Sequence, residues 1–182
     1  FGFSAAQSLE DRQEQADGTP ENTQVKIADS LNLFDENSLA DGVIVEEAKV
    51  QILSVDAGVK YHGIFVQVEM FKRWLRDFTA DGAIPVTEIV DTGFYVQAAF
   101  YPIKKKLELY ASTSWVFGDK SAGFKTSHEY LVGMNYFWFN NRNIRSNLQI
   151  MSVDRSPASS TFGFYVGGQT GPIISVATSL LF

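Results

Sequence analysis

Between Ile64 and Trp74 the chain runs Ile-Phe-Val-Gln-Val-Glu-Met-Phe-Lys-Arg-Trp. Its even positions are Ile64, Val66, Val68, Met70, Lys72 and Trp74, apolar but for one lysine. Its odd positions include Gln67, Glu69 and Arg73. Side chains alternate between the two faces of a β-strand, so a period of two marks a strand with one apolar and one polar face. A helix competes here, because Phe71, Trp74, Leu75 and Phe78 also fit one helical face. The alternation starts earlier and runs longer, which selects the strand.

The same pattern repeats on the C-terminal side. Strands are expected at about 44–58, 62–76, 92–101, 107–117, 128–138, 144–153 and 172–182, with 1–7 as the tail of another. The connections at 60–62, 102–106 and 140–143 are short, and those at 77–91, 118–127 and 154–171 are long. Strict alternation of short and long connections is the asymmetry of an outer-membrane barrel. Residues 8–42 read as one long acidic extracellular loop, with a short helix near Ser8–Gln15. The whole chain, 1–182, reads as one β-barrel domain or the C-terminal part of one.

Parity supports this organisation. Across the six better-defined strands, one face holds 26 apolar or aromatic residues of 31, with Lys72 its one charge. Lys72 is expected near a strand end, where its stem reaches an aqueous interface. The opposite face carries Gln67, Glu69, Arg73, Gln97, Glu108, Tyr110, Glu129, Asn135, Arg145, Asn147 and Gln149, the candidate pore-lining residues. On the apolar face Trp74, Trp115, Phe117 and Tyr130 fall towards the long loops, and Phe100, Tyr136, Trp138 and Phe182 towards the short turns. Two aromatic rows around an aliphatic band suit ring side chains at the two membrane interfaces. In a soluble sandwich or lipocalin-like barrel the apolar face would be the interior instead. The many terminal aromatics, and a polar face not crowded with Lys and Glu, favour the membrane.

Composition narrows the function classes. A net charge of −6 and a pI near 4.9 exclude the basic footprint of a nucleic-acid binder. The charge is local: residues 8–42 hold nine acids and two bases, and the rest holds 12 acids and 13 bases. The loop therefore carries −7 and the strands +1. Divalent-cation binding at a lipopolysaccharide surface, cation bias at a pore entrance and a merely solvated loop are all readings of it, the last favoured. The chain has no cysteine, which removes disulfides and thiolate metal sites. No metal-ligand spacing and no cofactor motif is present. Ser127-His128-Glu129 are neighbours, but adjacent strand residues point to opposite faces and form no triad. No enzymatic activity is expected. The glycines of 163–171 lack a P-loop lysine. The chain opens on Phe1 without a signal peptide, so it is expected to begin at a processing site or inside a longer protein.

The last segment, Ile174-Ser-Val-Ala-Thr-Ser-Leu-Leu-Phe182, resembles the C-terminal strand of bacterial outer-membrane proteins. In that class Val176, Leu180 and Phe182 would form the signal read by the barrel-assembly machinery. From about Val43 onwards the chain also resembles the C-terminal half of the phosphate-selective porin O/P superfamily. The segments are Asp56-Ala-Gly-Val-Lys-Tyr-His-Gly63, Gly93-Phe-Tyr-Val-Gln-Ala-Ala-Phe-Tyr-Pro102 before Lys104–Lys106, Glu108-Leu-Tyr-Ala111 and Glu129-Tyr-Leu-Val-Gly-Met-Asn-Tyr136. The resemblance implies an all-β, antiparallel transmembrane β-barrel, of which this chain holds seven or eight strands of sixteen, assembled as a homotrimer. The arginine ladder behind that family's phosphate selectivity has no counterpart here, so the selectivity is not carried over.

Together these readings lead to an outer-membrane porin, a passive diffusion channel for small hydrophilic solutes or ions. Its expected surroundings are outer-membrane lipid and lipopolysaccharide. The alternative is a small eight-stranded barrel without a pore, structural or adhesive, whose interior side chains pair as a plug.

Overall fold

A computed structural model of the chain describes residues 1–28, 30–141, 143–156 and 168–180. Among these it has eight strands: β1 (Gly2–Asp11), β2 (Val45–Tyr61), β3 (Ile64–Ala80), β4 (Glu88–Ile103), β5 (Leu107–Phe117), β6 (Thr126–Phe137), β7 (Ile144–Asp154) and β8 (Gly171–Leu180). They form one antiparallel sheet in the order of the chain, β1 to β8. The helical elements among the described residues are two single 3-10 turns, Lys120–Ala122 and Trp138–Asn140.

All seven expected strands are present, and β3 continues to Ala80 as a strand through Phe71, Trp74, Leu75 and Phe78. Two expectations at the N-terminus are corrected. Residues 1–7 belong to a full strand, and the helix near Ser8–Gln15 does not form. β1 pairs residue by residue with β2 from Gly2↔Asp56 to Asp11↔Glu47. An isolated helix of that length is marginal, whereas each residue of an edge strand gains a pairing partner at once. Trp138 likewise lies in the 3-10 turn after β6 rather than in the strand. Leu181 and Phe182, and with them the terminal part of the expected assembly signal, lie outside the described residues.

The alternation of connections holds. β2 and β3 are joined by His62 and Gly63, both with positive φ (46° and 85°). A two-residue hairpin with both central residues left-handed twists as its strands do, and glycine takes that conformation without a Cβ penalty. On the opposite side of the sheet, residues 12–44 make the long connection between β1 and β2.

The sheet is open. β1 and β8 are its edges, and the closed eight-stranded barrel is not what the chain forms. Size explains this. A closed eight-stranded barrel has room inside for side chains and little more. Here the polar face already carries Phe71, Tyr95, Tyr110 and Phe137, and residues 12–44 fold onto it as well.

That folding places the core. Val25, Ile27, Leu33 and Phe34 from the long connection pack with Val45, Ala48, Leu75 and Ile89. Leu75 and Ile89 face each other in the β3–β4 register, two residues along from Arg73 and Asp91, and so lie on the polar face. Short local bonds shape the loop: the Leu33 amide donates to the Val25 carbonyl (2.8 Å) and the Ser38 hydroxyl to the Leu33 carbonyl (2.6 Å). Arg12 Nε ties it back by donating to the Phe34 carbonyl (3.2 Å). The loop is therefore not merely solvated. Its acids Glu14, Asp17, Glu21, Asp35, Glu36 and Asp41 stay exposed while Val25, Ile27, Leu33 and Phe34 are buried.

The apolar face has no such cover. Ile64, Met70, Phe100, Leu109, Val132, Met134, Ile150, Ile174 and Val176 are all exposed, Val176 by 76%.

Candidate functional site

Strand register brings the polar-face residues together. Gln67 pairs with Gln97, Glu69 with Tyr95, and Arg73 with Asp91 across β3 and β4. Glu108 pairs with Asn135 across β5 and β6, and Asn135 with Asn147 across β6 and β7. All eleven residues expected there share this one face, and all but Gln67 fall into three groups.

The first group lies towards the short turns. Gln97, Glu108, Tyr110, Asn135, Arg145, Asn147 and Gln149 line a cleft of about 290 Å³. A chain of hydrogen bonds crosses it. Asn135 Nδ2 donates to Glu108 Oε2 (2.7 Å), and Asn147 Nδ2 to Asn135 Oδ1 (2.9 Å) and to the Tyr110 hydroxyl (2.6 Å). That hydroxyl donates onward to Gln149 Oε1 (3.1 Å). Tyr110 can lie across the sheet because Gly133 stands opposite it; a Cβ there would collide with the phenol ring.

The second group lies under the long connection. Arg73 pairs with Asp91, which is completely buried. Among the described residues Arg73 Nε and Asp91 Oδ1 find no hydrogen-bond partner. Glu69 and Arg73 line a cavity together with Lys26 from the loop. The third group centres on Glu129, which accepts from the Ser114 hydroxyl (3.4 Å) and from Ser156.

The opposite face gathers aromatic rings at both ends. Trp115 stacks on His128 (4.6 Å between centroids) and meets Phe94, Phe117 and Tyr130 at 6.0 to 6.2 Å. His128 Nδ1 lies 3.8 Å from Asp154. Tyr136 and Trp138 meet edge to face at 4.8 Å, and the Trp138 indole donates to Ser146 Oγ (2.9 Å). Lys72 is not near the end of its strand, since β3 runs on to Ala80. It is level with Phe117 through Thr92, and its Nζ sits 5.0 Å from the centre of the Trp74 ring. The cation therefore rests in the aromatic row itself, where a ring face stabilises it.

Sequence reasoning missed two parts of the polar face. A strand expected from 92 leaves Asp91 in the connection before it. Its signal was the alternation Ile89, Asp91, Gly93 on one side of Val90 and Thr92. Lys26 and its neighbours were hidden in an acidic segment. Their signal was Val25-Lys26-Ile27 and Leu31-Asn32-Leu33-Phe34, two apolar clusters that a solvated loop has no use for. Among the described residues no group of three His, Asp or Glu side chains gathers to hold a metal ion.

No protein-family model matches this chain, nor does any curated protein or solved structure. The likeness to the porin superfamily rests on the motifs quoted above.

Proposed function

We propose that this sheet is part of the wall of an outer-membrane porin, through which small hydrophilic solutes or ions diffuse passively. One observation carries the reading. The buried core lies on the polar face, and the apolar face of the strands stays exposed. A soluble sandwich is built the other way round, with its apolar faces packed inside. A lipid-facing surface accounts for the exposed face, and a lumen for the polar one. From Leu107 to Phe117, β5 makes ten steps of about 3.4 Å; tilted by 35–45° it rises about 25 Å, the height of a barrel's apolar band.

In this reading the two free edges pair with further strands, because unpaired backbone is not tolerated in hydrocarbon. Barrel completion towards sixteen strands, trimer formation and delivery by the barrel-assembly machinery belong to the same proposal. Residues 12–44 fold into the lumen and narrow it. Glu69, Arg73, Glu108, Glu129 and Arg145 then set the local field that solutes meet. The alternative, a small eight-stranded plug without a pore, needs β1 to pair with β8, and the sheet keeps them apart as edges. Purified protein in a planar lipid bilayer is expected to give stepwise conductance. Folded protein that inserts and gives none overturns the proposal.

A further inference from the structure

Beneath residues 26–28 of the long connection the polar face lines a half-open cavity of about 440 Å³. Small-molecule sites span about 300–1,000 Å³. Its charged lining is Lys26 from the loop and Glu69 and Arg73 from β3, and its apolar lining includes Ile27, Ile52 and Phe71. Arg73 is neutralised by Asp91. Lys26 and Glu69 differ from it. Among the described residues neither forms an ion pair, with the other or with any third group. The cavity therefore presents one uncommitted ammonium, one uncommitted carboxylate and an apolar wall. Half-buried charges gain most from a partner of opposite sign that also displaces water from the apolar wall.

We propose that this cavity binds a small zwitterion with an apolar side group, the chemistry of a neutral aliphatic amino acid. Lys26 takes the ligand's carboxylate and Glu69 its ammonium. Ile27, Ile52 and Phe71 receive the side group. The site's role as a station for a passing solute rests on the porin reading; its ligand chemistry does not.

Calorimetric titration of the detergent-purified protein tests it with three probes that share an isobutyl group. L-Leucine carries both charges, isoamylamine lacks the carboxylate, and 4-methylpentanoate lacks the ammonium. L-Leucine is expected to bind roughly tenfold more tightly than either analogue, the value of one charge-assisted contact. Lys26→Gln removes its advantage over isoamylamine, Lys26→Arg retains it, and Glu69→Gln removes its advantage over 4-methylpentanoate. L-Leucine binding no better than the analogues overturns the proposal, as does an unchanged preference in both neutralised variants. The wild-type comparison decides the matter even where a variant fails to fold. Tight L-leucine binding by a protein without conductance refutes the porin and keeps the site; normal conductance without L-leucine binding refutes only the site.

Discussion

Asp91 shows what a single residue contributes to this sheet. Its carboxylate is fully buried, and its partner Arg73 comes from the neighbouring strand. Breaking a buried pair leaves the other charge without compensation, at a cost of about 3–5 kcal/mol. Asp91→Ala should therefore lower the urea stability of the refolded protein by about that amount, while Arg73→Met with Asp91→Leu restores most of it. Asp119 acts between strands. It accepts from the Ser121 hydroxyl (2.6 Å) and amide (2.9 Å) and from the Val90 amide (2.9 Å), so one carboxylate holds the β5–β6 loop and the start of β4. The Ser121 hydroxyl, more than the amides, holds its pKa below the ordinary 3.8, and partial burial opposes the shift. A depressed carboxylate stabilises the fold above its unfolded pKa, and that contribution disappears as pH falls through the folded value. Hydrogen exchange should show the Val90 amide protected at neutral pH and exposed only as the pH falls through the folded value, below the ordinary 3.8, and Asp119→Ala should expose it at neutral pH as well.

Strands and loops were not equally legible. Strand parity could be read directly, because a residue's face depends only on its number within the strand. That is why all the candidate pore-lining residues fall on one face. The long connection was misread because its net charge dominated its few apolar residues. Exposed acids say what the outer side of a loop does and nothing about its inner side. Leu33 and Phe34, both completely buried, do the opposite work to Glu36 and Asp41 in the same segment. Phe34→Ala should free the loop at a cost of about 3–5 kcal/mol, the usual loss for an excised core ring. Limited proteolysis is then expected to cut within residues 12–44 of the variant and to spare the wild type. In the porin reading the same variant conducts more than wild type in a planar bilayer.

For the molecule as a whole, the sequence carried the antiparallel meander but not its closure. Order and register follow from short turns and alternation, which are local. Closure depends on whether β1 and β8 meet, which depends on what fills the space between the faces. Here the folded loop fills it. What remains decisive is the solvent of the exposed face. Val132, Ile150 and Ile174 lie in one row across β6, β7 and β8, continued by Ala111, Ala98 and Val66, midway between the aromatic clusters. Val132 is 57% exposed. If that row faces water, Val132→Arg is a surface substitution and changes stability by no more than about 0.5 kcal/mol. If it faces the middle of a bilayer, the same change costs about 2–4 kcal/mol. Ser175, next to Ile174 and on the polar face, is the control, because an arginine there stays with the lumen in the membrane reading. Urea unfolding from lipid vesicles should therefore separate Val132→Arg from Ser175→Arg, with only the first destabilised. Equal, small effects at both positions would place the apolar face in water and remove the physical basis for the pore.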